Sequence, residues 1–174
     1  MVEFTITAIG YDRPGIVAAV TRVLFDRGCN LADCSMTRLS GQFAMILLVQ
    51  APEALGPKEL ETWLEPAAED LDLSIHVREA APGAGSSVGQ PFVLSLYGAD
   101  KPGIVFGIAA ELAARQANIT DLVSRKTGEN LYLVVLEIDL PSDSDPLEFE
   151  REIAAFAQTM GVEANLRAAE AAEL

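Results

Sequence analysis

The sequence predicts an α+β fold built from two tandem βαββαβ units, each with its helices on one face of an antiparallel sheet. Three observations carry that expectation: an internal repeat at a fixed offset, apolar periodicity that alternates between strand and helix spacing, and a Gly/Ser/Pro-rich stretch between the copies. The repeat is plainest in Gly10-Tyr11-Asp12-Arg13-Pro14-Gly15-Ile16-Val17 and Gly98-Ala99-Asp100-Lys101-Pro102-Gly103-Ile104-Val105, an offset of 88 residues. The same offset pairs Phe4 with Phe92, Leu24 with Leu112, Arg27 with Arg115, Asn30 with Asn118, Asp33 with Asp121 and Leu48 with Leu136. One register therefore holds across the first half of each copy. The expected divisions are a first unit at 1–79, a linker at 80–90, a second unit at 91–168 and a short tail at 169–174.

In the first unit Phe4, Ile6 and Ala8 alternate with Thr5, Thr7 and Ile9, the pattern of a strand with one buried face, ending at Gly10. Asp12 stands where it would cap a helix whose opening turn holds Pro14. Ile16, Val17, Val20, Val23 and Leu24 then recur at helical spacing, and Gly28 closes the helix. Leu31 to Leu39 and Phe43 to Val49 read as two strands around the turn signal Ser40-Gly41. A second helix starts at Pro57, with Pro66 expected to kink it or end its first part. Leu73, Ile75 and Val77 form the closing strand.

The second unit follows the same order. It has a strand from Phe92 to Tyr97, a helix from Pro102 to about Gln116, strands at Ile119–Lys126 and Leu131–Leu140, a helix at Pro146–Met160 and a strand at Val162–Leu166. This is a ferredoxin-like, split-βαβ arrangement. A unit of about 80 residues buries only about 60% of its unfolded surface. Pairing of the two units, with a shared continuous sheet as one form, is therefore expected. A monomer of two paired units and a homodimer sharing four are equally readable.

Composition narrows the function. The 174 residues hold 12 Lys plus Arg against 26 Asp plus Glu, a formal charge of −14. Such a surface repels phosphate backbones and anionic lipid heads, so neither direct nucleic-acid binding nor a membrane partner is expected. The amino terminus lacks a basic segment followed by an apolar one, and no apolar run approaches the roughly 18–20 residues of a membrane span. A cytoplasmic location follows as the expectation. Cys29 and Cys34 read as reduced thiols acting as small core hydrophobes, and His76, the only histidine, as a surface or packing residue. No spaced ligand set, phosphate loop or nucleophile motif is present. No metal, no cofactor and no catalytic residue are expected.

The duplicated chemistry lies where the first strand hands over to the first helix. A helix amino terminus offers unpaired amides and the positive end of a dipole, which attract a carboxylate or phosphate. Gly15 and Gly103 leave the main chain open to close approach, and Pro14 and Pro102 stiffen the turn. Asp12 and Asp100 bring negative charge beside that anion site. Ile16 and Ile104 follow in each copy. Asn30-Leu31-Ala32-Asp33 and Asn118-Ile119-Thr120-Asp121 add groups able to hold an ammonium. Read blandly, Asp-x-Pro-Gly is a helix start alone, and Asn30 and Asn118 are helix C-caps. Read chemically, the set suits a zwitterion, a free amino acid.

The repeated strand–Asp-x-Pro-Gly-Ile-Val–helix–Asn-x-x-Asp pattern resembles the ACT-domain family of regulatory small-molecule-binding modules. A tandem pair without a catalytic domain is similar to the glycine-cleavage-repressor type of that family and its stand-alone relatives. The resemblance implies amino-acid binding at the interface of paired units. By position it assigns Asp12, Pro14, Gly15, Ile16 and Asn30, with Asp100, Pro102, Gly103, Ile104 and Asn118, to the site. Asp33 and Asp121 are added on chemistry. A small amino acid is the expected ligand. A protein partner is the expected target, because the charge disfavours DNA; transcriptional control of amino-acid metabolism would then run through that partner. The rival expectation is an interaction module or regulatory subunit of an amino-acid-metabolic enzyme, without a sensing role.

Overall fold

The computed structural model describes residues 2–52, 55–80, 89–127 and 131–169. The first unit comprises β1 (Val2–Tyr11), α1 (Ile16–Asp26), β2 (Asn30–Leu39), β3 (Gln42–Ala51), α2 (Pro57–Leu71) and β4 (Leu73–Glu79). The second comprises β5 (Gln90–Ala99), α3 (Ile104–Ala114), β6 (Asn118–Thr127), β7 (Leu131–Leu140), α4 (Pro146–Met160) and β8 (Val162–Ala168). Each is a βαββαβ unit with a four-stranded antiparallel sheet, ordered β2-β3-β1-β4 and β6-β7-β5-β8. The expected α+β, ferredoxin-like architecture is what the chain adopts. The chain divides into compact units at Met1–Ala84 and Gly85–Leu174. Of the expected linker, residues 81–88 lie outside the described residues, as do residues 170–174 of the tail. Gln90 already belongs to β5, and the Ala169 amide donates to the Pro91 carbonyl.

Alternation along the central strands sets each core. Phe4, Ile6 and Ala8 of β1 and Met45, Leu47 and Val49 of β3 are buried against Ile16, Val20 and Leu24 of α1 and Leu60 and Leu64 of α2. The second unit repeats this with Leu94 and Leu96, Val134, Leu136 and Ile138, Ile108 and Leu112, and Phe149 and Ile153. The two lists correspond at an offset of 88 through the first helix and of 89 from the third strand onward, so Leu136 is the counterpart of Leu47 and not of Leu48 as the repeat suggested; burial of one strand face drives both folds. Because β1 and β5 are central, β2 and β6 are left as edges, and all ten residues of β2 are exposed. Both edges carry a bulge at the same place, between Leu31 and Asp33 and between Ile119 and Asp121. Such a bulge kinks an edge strand and blunts it against stray pairing.

Two local expectations need correcting and a third is resolved between its alternatives. Helix α2 runs on through Pro66 to Leu71, so the proline does not end it. The proline removes one amide, yet Leu60 and Leu64 bury the preceding turns firmly enough that the helix continues. Cys34 is exposed on the β2 edge rather than packed inside, whereas Cys29 is half-buried against the core. Asp12 does not cap α1: the N-cap is Gly15, and no side chain caps that terminus. The Ser40-Gly41 turn is as expected, with φ of 50° and 79°. His76 sits on β4 with Nδ1 3.1 Å from Glu61, whose carboxylate also accepts the Val77 amide. No described helix is long and apolar enough to cross a membrane.

The helix C-termini expose a difference between the copies. Gly28 follows α1 at φ 71°, and the equivalent position after α3 is Gln116 at φ 58°. A side chain in the left-handed region costs about 1–2 kcal/mol, so Gln116→Gly is expected to stabilise the second unit. A thermal melt should show a rise of a few degrees; an unchanged or lower midpoint would mean that Gln116 is held by contacts that offset its strain. The cysteines give a second check. Partial burial pushes the Cys29 thiol up, whereas Cys34 lies open. Alkylation followed by mass spectrometry at pH 7.5 should modify Cys34 several-fold faster than Cys29, because the thiolate is the reactive form.

Candidate functional site

Each first strand ends in a short turn that enters a helix through a glycine in the left-handed region. Gly15 has φ 98° and ψ −12°, and Gly103 has φ 94° and ψ −3°. An L side chain rarely adopts this conformation, which explains glycine at both positions on backbone grounds alone. Pro14 and Pro102 precede the N-cap instead of standing in the opening helical turn. Their fixed φ stiffens the approach to it. Ile16 and Ile104, the first helical residues, are buried and pin the helix start to the core.

The Gly15 carbonyl accepts the Ala19 amide at 2.8 Å and the Gly103 carbonyl accepts the Gly107 amide at 2.8 Å. The amides of the three intervening residues thus precede the helical hydrogen-bond ladder. Neither helix has a side-chain cap there or an acidic residue in its first turn. By contrast, Asp145 caps α4, accepting from the amides of Leu147 and Glu148. A Cβ built on Gly15 or Gly103 would meet nothing within 4 Å, so open space stands over both turns. Two uncapped, unobstructed helix amino termini face solvent at matching positions.

The aspartates of the turn have another task. Asp12 accepts a hydrogen bond from Arg38 Nη1 at 2.9 Å, and Asp100 accepts one from Lys126 Nζ at 3.1 Å. The Asp12 amide also donates to the Gly41 carbonyl at 2.9 Å. Each turn is therefore tied to the far end of the edge strand beside it. Both pairs are largely exposed, so each contributes no more than about 1 kcal/mol. Their chief consequence is electrostatic, since a cation now balances each carboxylate next to the helix terminus. Sequence reasoning missed Arg38 and Lys126. The signal was present, because the 88-residue offset pairs the two as cations at one register position.

Asn30 and Asn118 are not helix C-caps, which are Arg27 and Arg115. They open the edge strands, opposite Gln50 and Asp139. Asp33 and Asp121 follow the bulges, and Asp33 Oδ1 accepts the Cys34 amide at 2.7 Å. The Asn-x-x-Asp pattern thus marks a strand start and its bulge.

Within a single unit these groups do not meet the helix terminus. Arg38, which holds Asp12, lies eight residues along β2 from Asn30. At roughly 3.3 Å per residue that is about 25 Å. Asp33 is five residues away, about 16 Å. One unit assembles the turn, the glycine and the aspartate–cation pair; the Asn and the second Asp stand at the other end of the edge strand.

The turns also differ. Lys101 places its ammonium 2.9 Å from where a Cβ on Gly161 would sit, at the carboxyl end of α4. That placement suits a cation, because the helix dipole is negative there. Arg13, its counterpart, is exposed and has no hydrogen bond or ion pair among the described residues.

Comparison with known proteins matches residues 3–78 and residues 92–148 each to an ACT domain. The glycine cleavage system transcriptional repressor of Escherichia coli K12 is 28% identical over 167 residues, spanning 92% of this chain and 87% of that protein. A UPF0237 protein of Methanopyrus kandleri is 39% identical over 79 residues, which is 45% of this chain and 88% of that one. Among solved structures, an unknown protein from Galdieria sulphuraria aligns with a TM-score of 0.78 at 26% identity, covering 97% of this chain and 99% of its own. A structure described as a candidate glycine cleavage system transcriptional repressor shares the fold, with a TM-score of 0.71 at 21% identity over 95% of this chain and 96% of that one. With two ACT domains accounting for most of its length, the chain belongs to the ACT-domain family.

Proposed function

We propose that this chain is an amino-acid-sensing regulatory protein, not a catalyst, and that it acts through a protein partner. The observation that carries this reading is the pair of uncapped helix amino termini behind Gly15 and Gly103, with open space above each. A carboxylate approaching either turn meets unpaired amides and the positive end of a helix dipole. The neighbouring Asp12 or Asp100 is already balanced by Arg38 or Lys126, so it does not repel that carboxylate as an isolated charge would.

The ammonium group needs acceptors that one unit does not place nearby. Asn30 with Asp33, or Asn118 with Asp121, would supply them from a second unit set beside the first. The ligand then bridges two units and favours whichever arrangement completes the site, which is how binding becomes a signal. Similarity to a repressor of the glycine cleavage system supports a small amino acid as the ligand and control of amino-acid metabolism as the setting. At a net charge of −14 the chain is repelled by DNA, so a transcriptional output would run through a protein with a basic surface.

A thermal-shift panel of the twenty amino acids tests the sensing role. A ligand at 100 times its dissociation constant adds about 2.7 kcal/mol, which raises the midpoint by about 5–10 °C at this size. At least one small amino acid is expected to produce such a shift. A flat panel would favour the interaction-module reading. Gly15→Val and Gly103→Val are each expected to abolish binding at the altered turn, at a stability cost of about 1–2 kcal/mol for the left-handed valine. Gly28→Ala imposes comparable strain at φ 71° away from the turn and should leave binding intact. Loss of binding in that control would assign the effect to strain, not to the turn.

A further inference from the structure

Both helices of the second unit pack against one face of its sheet. Leu94 and Leu96 turn to that core, so Val93, Ser95 and Tyr97 of β5 point the opposite way. Register sets Arg167 of β8 opposite Val93, Asn165 opposite Ser95 and Glu163 opposite Tyr97. All of these but Glu163, with Ala168 and Ala169, line an open concavity of about 730 Å³, a volume typical of small-molecule sites. Arg167 Nε donates to Asn165 Oδ1 at 3.0 Å, which leans the guanidinium along the strand towards the Asn165–Ser95 pair. The other guanidinium N–H groups, the Asn165 amide hydrogens and the Ser95 hydroxyl are then donors without an acceptor among the described residues. The chain has 26 acidic residues to 12 basic ones, yet no described lining residue is acidic. Two carboxylates stand on the same face outside the concavity. Glu163 accepts the Tyr97 hydroxyl, and Glu137, opposite Val93 on β7, forms no ion pair among the described residues.

We propose that this concavity binds an aryl monocarboxylate, with its carboxylate on Arg167, Asn165 and Ser95 and its ring against Tyr97. A guanidinium fork matches a carboxylate, and charge-assisted bonds of this kind are strong. The Asn165 hydrogen bond orients that fork before the ligand arrives, which lowers the ordering cost. One guanidinium balances one negative charge, whereas a polyanion would add repulsion from a body of net charge −14. Ser95 and Tyr97 are two residues apart on one strand face, about 7 Å, the reach of an arylacetic acid. Tyr97 is 44% exposed and offers a ring for stacking, and Val93 supplies apolar surface beside it. The first unit keeps the arginine without its setting. Arg78 stands opposite Thr5, but His76 takes the place of Asn165 and turns to Glu61, and Ile9 takes the place of Tyr97. Arg167 is level with Val93, six residues or about 20 Å from the end of β5 that feeds the Gly103 turn, so this site is independent of the sensing reading.

Amide NMR on the nitrogen-15-labelled full chain, free of amino acids and at constant ionic strength, tests this with phenylacetate up to about 20 mM, a range that reveals a millimolar ligand. Saturable shifts are expected at the amides of Ser95, Tyr97, Asn165 and Arg167. Phenethylamine, the same ring carrying an ammonium, should leave those amides unmoved, and acetate, which lacks the ring, should bind several-fold more weakly. Arg167→Gln should weaken phenylacetate binding about tenfold. Asn165→Leu, which removes the orienting hydrogen bond, should weaken it several-fold and serves as the test if Arg167→Gln does not fold. Arg78→Gln, at the equivalent position of the first unit, should bind as wild type does. No saturable shift at those amides overturns the proposal, as does equal binding of phenethylamine or undiminished binding in both the Arg167 and Asn165 variants.

Discussion

A left-handed glycine ahead of each first helix is the constraint on which the rest of the site depends. With φ near 95°, Gly15 and Gly103 let the chain turn from strand to helix without placing a side chain across the helix terminus. Two consequences share that origin. The first-turn amides keep their hydrogen-bonding capacity directed outward, and the space above them stays open. Any other residue there would strain the turn and fence off the amides together. The aspartate–cation pairs complete the arrangement by fastening the turn to the edge strand and balancing the nearest negative charge.

Sheet order then determines what the turn can and cannot do alone. Placing β1 and β5 at the centre buries their apolar faces and leaves β2 and β6 as bulged, exposed edges. Those edges carry the Asn and Asp groups at the end remote from the turn. The turn and the Asn and Asp groups therefore stand about 25 Å apart in one unit. The proposed sensing role accordingly calls for a second unit, which would bring groups for an ammonium beside a turn suited to a carboxylate. The copies also differ: Lys101 rests on the end of α4 while Arg13 has no partner among the described residues, and the outer row of α3 lacks the charges that Arg22 and Asp26 give α1.

Most of the fold was legible because burial and the repeat agreed. Alternation in Phe4, Ile6 and Ala8, helical spacing in Ile16, Val20 and Leu24, and the 88-residue offset all described one core twice. What escaped were contacts between residues distant in sequence. Nothing local in Asp12 shows that its partner is Arg38, since strand pairing creates that proximity; a helix cap is the nearer guess from neighbours alone. Pro66 shows a related limit: the local cost of a proline was visible, whereas the tertiary burial that lets α2 run on through it was not. Cys34 shows the same limit, because an edge strand and a central one have similar composition. The residues of the candidate site stood out through the repeat, whereas the distances between them did not. Spacing along the chain placed Asn30 near the helix, and the sheet carried it to the opposite end from Gly15.

The most direct test is amide NMR on the uniformly nitrogen-15-labelled chain, titrated with glycine, serine and the other small amino acids. The account predicts saturable shifts centred on the amides of Ile16 and Val17, of Ile104 and Val105, or of both turns, with the amides around Asn30 or Asn118 moving in the same titration. Saturable shifts confined to other surfaces, or none with any amino acid, would contradict it.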